Sequence, residues 1–351
     1  MEKDKTKEVL LKTGRFLYEF INGRLYGDSY SIRLLELMER AAAINPFFTL
    51  NEITKALRGI AFCLTETEID TWLANYDEGL FKEKTPKNIG VIMAGNIPMV
   101  GWHDMICVLM SGNRFIGKPS SEDAGLTQFF ADLLMEIEPE LKDRIVFTER
   151  LNEVDAVIAT GSNNSARFFN YYFGKKPNII RKNRNSVAII NGDETFDDFN
   201  ELGKDIFDYF GLGCRNVSKM YVPQGYDFNL FFESIQGYSK IIDHHRYANN
   251  YDYNRSILLM KLLPFLDNGF LLVREDTILS SPISVLFYER YENMEHLEEL
   301  IKNQKENIQC MASKDGYFPG SVAFGMTQFP HLWDYADGVD TLNFLLTLST
   351  E

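Results

Sequence analysis

Cysteine is scarce in this chain and never clustered. Cys63, Cys107, Cys214 and Cys310 stand far apart, with no CxxC pair and no zinc-ligand spacing. A disulfide framework is therefore unmotivated, and a reduced, cytoplasmic protein is the expectation. The five histidines add no ligand pattern: His244 and His245 are adjacent, and neighbours on a helix point in different directions. His103 and His331 are isolated, so no metal site is expected. Positive charge is also in deficit, with 36 Lys and Arg against 50 Asp and Glu, a net −14. That balance disfavours a nonspecific nucleic-acid binder and still allows a local basic pocket for a phosphate. No apolar run reaches the length of a membrane span, so no stable membrane insertion is expected. The opening "MEKDKTKEVLLKTG" has acidic residues where a signal peptide needs a long apolar stretch. A GxGxxG fingerprint is missing as well, as are internal repeats and low-complexity tracts.

What the chain does have is an ordinary globular composition, 45% apolar and 25% charged over 351 residues, enough for two domains. Residues 1–85 read as helical: "TLNEITKALRGIAFCL" places apolar residues at helical spacing, and "TETEIDTWLANY" offers a threonine cap with glutamate three residues later. From "NIGVIMA" onward the rhythm is βαβ, through "RFIGKP", "RIVFTE", "VDAVIATGS", "SARFFNYYFG" and "NSVAIING". Strands such as "DAVIAT" carry consecutive apolar residues, as in a parallel sheet covered on both faces. Residues 86–205 are thus expected to form one α/β domain and 206–320 a second. The segment 321–351 returns to helix, and 1–85 is expected to pack on the first α/β domain.

Several local features can carry chemistry. Asn96 in "AGNIPMV" follows a strand; its amide can donate to a developing oxyanion or simply form a turn. Lys118 ends the strand of "RFIGKP", as a ribose or phosphate contact or as an ordinary exposed lysine. "TGSNNSARFF" reads as a strand–turn–helix junction whose backbone donors suit a phosphate. Cys214 in "GLGCRNVSK" differs from the other three cysteines, which sit among apolar neighbours. Gly211 and Gly213 allow close backbone approach, and nearby positive charge or a helix terminus would favour the thiolate. From spacing alone, nucleophile and structural cysteine are both open. A Cys–His hydrolase would require folding to bring a histidine to Cys214.

Taken in order, "AGNIP", "GNRFIGKPSS", "ATGS" and "GLGCRNVSK" resemble the acyl-CoA reductase (LuxC-like, fatty acid reductase) branch of the aldehyde dehydrogenase superfamily. The likeness runs from about residue 85 into "FPHLWDYADGVDTLNFLL". It implies an aldehyde dehydrogenase-like α/β fold, with a Rossmann-like cofactor domain at 86–205 and a catalytic α/β domain at 206–320. It also implies that Cys214 is the acyl-accepting nucleophile. Asn96 would be the side-chain donor of the oxyanion hole, completed by the Cys214 N–H. Lys118 would contact the cofactor ribose, with Thr160, Gly161 and Ser162 near the pyrophosphate and nicotinamide. Two departures matter. Hydrolytic relatives carry a water-activating glutamate in Glu-Leu-Gly-Gly, where this chain has "RKNRNSVAIING". The acidic residue that favours NAD is replaced by Ser121, with Glu122 one position later. NADP(H) is therefore expected ahead of NAD(H). The implied reaction is reduction of a fatty acyl-CoA or acyl-protein thioester to the aldehyde. The alternatives are a cysteine acyltransferase or thioesterase without redox turnover, or a noncatalytic interaction protein. A homo-oligomer and acyl-transfer partner proteins are further implications.

Overall fold

A computed structural model describes residues 3–25, 27–82 and 84–348. Residues 1, 2, 26, 83 and 349–351, inside the expected terminal segments, lie outside the described residues. The chain divides into two compact units, 1–183 with 330–351, and 184–329.

The first unit opens with four helices, α1 (Lys3–Ile21), α2 (Ser29–Ile44), α3 (Leu50–Cys63) and α4 (Glu66–Leu73). Side-chain caps start three of them: Asp28 accepts from the Ser31 N–H, Thr49 from Glu52 and Thr65 from Glu68. Then follow β1 (Asn88–Ile92), α5 (Trp102–Met110), β2 (Arg114–Lys118), α6 (Leu126–Ile137), β3 (Ile145–Phe147), β4 (Ala156–Thr160), α7 (Asn163–Phe173) and β5 (Asn178–Arg181). The sheet order is β3-β2-β1-β4-β5, every pair parallel. Ala156, Val157, Ile158 and Ala159 of β4 are all fully buried, because helices cover both faces.

In the second unit come β6 (Asn185–Ile189), α8 (Phe196–Phe207), β7 (Val217–Pro223), α9 (Asn229–Ser234), α10 (His245–Met260), β8 (Leu266–Asp267), β9 (Leu272–Glu275), β10 (Val285–Tyr291), α11 (Met294–Gln304), β11 (Ile308–Ser313) and β12 (Val322–Ala323). Their sheet runs β12-β11-β6-β7-β10-β9-β8, parallel except for the β8–β9 pair. The chain then re-enters the first unit and ends in α12 (Thr341–Leu346).

Two expectations change here. "NSVAIING" is not the last strand of the first sheet: β6 pairs with β7 and β11, so the units divide at Asn183/Arg184 instead of at 205/206. The tail is likewise not a separate C-terminal segment from 321. Its Leu342 and Leu345 are fully buried in the same core as Leu10, Trp72 and Ile89, each side chain worth about 1.5–3 kcal/mol of burial. Polar bonds fix it further: Trp72 Nε1–H donates to the Tyr335 hydroxyl at 2.6 Å, and Tyr76 donates to Asp340 at 2.9 Å. Among the described residues no helix is long and apolar enough to cross a membrane.

Candidate active site

The first unit gathers its functional side chains where the sheet changes winding direction. β1 has β2 on one side and β4 on the other, so a crevice opens beyond the carboxyl ends of these strands. A cavity of about 750 Å³ lies there. Of the residues expected to hold a cofactor, Lys118 at the end of β2, Ser121 just after it, and Thr160 and Gly161 at the end of β4 line it. Glycines keep its loops close. A Cβ on Gly95 would stand 2.6 Å from Ser120 Oγ, and one on Gly161 2.9 Å from Ser165 Cβ. A half-buried lysine, tight backbone turns and this position in the sheet fit a pyridine dinucleotide.

Ser162 does something else. Its Oγ accepts the Ser165 N–H at 3.2 Å and caps α7, and its side chain is not part of the cavity wall. Ser121 opens a short 3₁₀ turn (Ser121–Asp123), which Ser120 caps through the Glu122 N–H at 3.2 Å. A carboxylate does reach the cavity, but from the end of β3: Glu149, which the sequence reading did not single out.

Asn96 occupies an exposed bend after β1, outside the cavity lining. Asp123 holds the far side of its loop: the buried carboxylate accepts the Met99 N–H at 3.3 Å and the Thr127 N–H at 2.8 Å. Met99 itself adopts φ 61°. Burial pushes the Asp123 pKa up from 3.8 to about 6, against the lowering effect of those hydrogen bonds. The basic stretch 181–184 contributes a locked ion pair. Buried Arg181 grips Asp104 in two bonds of 2.7 and 2.8 Å and donates to Thr341 Oγ1 at 2.9 Å.

Of the four cysteines, only Cys214 is exposed. Burial pushes the Cys107 thiol well up, and Cys63 donates to the Pro330 carbonyl at 3.1 Å. Helix α8 stops at Phe207, and Asp208 leaves it at φ −56°, ψ 143°. Tyr209 and Phe210 then enter the left-handed region at φ 51° and 56°, ahead of Gly211 at φ 75°. For the two non-glycines this costs on the order of 1 kcal/mol each. A turn closed by the Asn216 N–H on the Gly213 carbonyl, 3.0 Å, places Cys214 at its corner. Ser186 of β6 donates to the Cys214 carbonyl at 3.0 Å. β7 follows the turn, so no helix N-terminus begins at Cys214 to favour its thiolate.

A family model described as acyl-CoA reductase (LuxC) matches residues 31–229, more than half of the chain. No individual curated protein matches significantly. Among solved structures, the acetylating aldehyde dehydrogenase of Geobacillus thermoglucosidasius is similar at TM-score 0.61 and 12% identity, over 96% of this chain and 84% of that one. The Mycobacterium tuberculosis aldehyde dehydrogenase complexed with NAD+ gives TM-score 0.59 at 12% identity, over 89% of this chain and 73% of that one. The P. syringae indole-3-acetaldehyde dehydrogenase in complex with NAD+ and IAA gives 0.62 at 12% identity, over 92% and 74%. At such identities the likeness establishes an aldehyde dehydrogenase fold.

Proposed function

The chain belongs to the acyl-CoA reductase (LuxC) family, and from that premise we propose that it reduces a fatty acyl thioester, on CoA or on an acyl-carrying protein, to the aldehyde through an acyl-enzyme on Cys214. The observation that carries this reading is the exposed Cys214 just after a strained left-handed stretch, in a chain whose other three cysteines are buried or half-buried.

In this reading the Cys214 thiolate attacks the thioester carbon, and the tetrahedral oxyanion is met by the Asn96 amide and the Cys214 N–H. The bond to the CoA sulfur breaks, the leaving thiolate takes up a proton, and the acyl group stays on Cys214. Lys118, Ser121, Thr160 and Gly161 would hold the dinucleotide, with Lys118 as its ribose contact. A reduced nicotinamide bound there supplies the hydride. The resulting thiohemiacetal on Cys214 collapses, the C–S bond breaks, and aldehyde leaves as the thiol is restored. A carboxylate to activate water is not needed, consistent with Arg181 and its pairing to Asp104 where hydrolytic relatives carry Glu-Leu-Gly-Gly.

The absence of a carboxylate at Ser121 supports NADPH over NADH, since an acidic side chain there would repel a ribose phosphate. A homo-oligomer, and partner proteins that deliver or accept the acyl group, complete the proposal. The test is aldehyde formation from straight-chain acyl-CoAs of several lengths with NADPH, followed by chromatography. Aldehyde release stoichiometric with NADPH consumption supports the reading. Acyl transfer to added thiols without cofactor binding would reject it in favour of a cysteine acyltransferase.

A further inference from the structure

Cys214 rides on a backbone that needs a brace. Left-handed Tyr209, Phe210 and Gly211 stand between the end of α8 and the nucleophile turn. The Tyr209 and Phe210 side chains are buried and anchor the stretch. The Asn216 side chain, 2% exposed, spans it. Asn216 Nδ2 donates to the Asp208 carbonyl at 2.8 Å, just before the left-handed residues, and to the Asp205 carbonyl at 3.0 Å. Its Oδ1 accepts the Gly213 N–H at 2.8 Å, just after them.

We propose that Asn216 is the positioning residue of the nucleophile: its amide closes the left-handed turn and so fixes where Cys214 points. The inference rests on Cys214 being the acyl acceptor. The chemistry demands a primary amide, because one planar group must offer an acceptor to Gly213 and two donors to carbonyls. Aspartate has the same size but no donors, and turns a carboxylate oxygen toward the Asp205 and Asp208 carbonyls. Alanine removes all three of these bonds.

Asn216→Asp and Asn216→Ala are compared with the parent protein in three measurements. These are single-turnover acylation by octanoyl-CoA as a function of its concentration, alkylation of Cys214 by iodoacetamide, and NADPH titration. A nucleophile misplaced by about 1 Å slows an oriented reaction on the order of 100-fold. The saturating acylation rate should fall by about that factor, with half-saturation by octanoyl-CoA and NADPH affinity unchanged. Iodoacetamide needs no orientation, so alkylation should stay within about threefold, a split that general unfolding does not produce. Gly211→Ala, which strains the same turn at φ +75° with the amide intact, must show the same split, and it carries the test should the Asn216 variants fail to fold. Acylation at the parent rate in Asn216→Asp, or in Gly211→Ala, overturns the inference alone. A parent protein that takes no acyl group on Cys214 overturns the proposed function, and this inference with it.

Discussion

Asp123 gives the loop that carries Asn96 a measurable pH signature. The carboxyl is 2% exposed, and burial raises its pKa from 3.8 to about 6. The native state therefore holds this proton more tightly than the unfolded chain does. The corresponding stability is fully present below about pH 3.8 and is lost as the pH rises through 6. Moving one carboxyl over that range is worth about 3 kcal/mol, and near pH 5 the loss runs at about 1.2 kcal/mol per pH unit. Asp123→Asn cannot ionise, so it removes this slope. The variant also turns an NH₂ toward the Met99 or Thr127 N–H, sacrificing one acceptor at a cost of about 1–3 kcal/mol. That cost offsets its stability at every pH and does not change the slope.

The assay is urea unfolding of both proteins between pH 4 and 7, read by tryptophan fluorescence. All three tryptophans, Trp72, Trp102 and Trp333, lie in the first unit with Asp123, so the signal reports that unit. The stability of the parent minus that of Asp123→Asn should fall by about 2.4 kcal/mol between pH 4 and pH 7, since part of the loss already lies below the window. A difference that stays constant across the window would falsify the reasoning about this buried carboxyl.

Two more predictions concern the reaction. Asn96→Ala should keep the nucleophile and the cofactor cavity but lose an oxyanion donor, costing on the order of 3 kcal/mol, or about 100-fold, in single-turnover acylation; an unchanged rate removes Asn96 from the chemistry. Ser121→Asp should lower kcat/KM with NADPH more than with NADH, because Ser121 lines the cavity and a carboxylate there would repel a ribose phosphate bound in it; equal effects on both cofactors would show that the side chain does not meet the ribose.

The parts legible in the sequence were those written in local patterns. "DAVIAT" announces a strand because a parallel strand buried on both faces needs consecutive apolar residues, and β4 is that strand. The same logic fails for "NSVAI", which reads equally well as a strand of either sheet. Its partners β7 and β11 lie far along the chain, and no local pattern records them. Gly211 and Gly213 advertised a close turn before Cys214. Tyr209 and Phe210 did not, because in "DIFDYF" aromatic side chains continue a helical face while their backbones have already left the helix. Asn216 was visible only as a polar residue beside a cysteine, since its value lies in three backbone groups that only the fold brings within reach. Asp123 and Glu122 are adjacent acids in "SSED", and nothing local says that one is buried and the other exposed.

Acyl transfer to Cys214 is the step on which the functional account depends, and it can be isolated from the redox step. The parent protein is mixed with octanoyl-CoA in the absence of reductant, and intact mass and peptide mapping are recorded. The account predicts one octanoyl group per chain, on the peptide that contains Cys214, and its disappearance as octanal when NADPH is added. Cys214→Ala should show neither adduct nor aldehyde while still binding NADPH. An adduct on Cys63, Cys107 or Cys310, or aldehyde formation that survives Cys214→Ala, would contradict it.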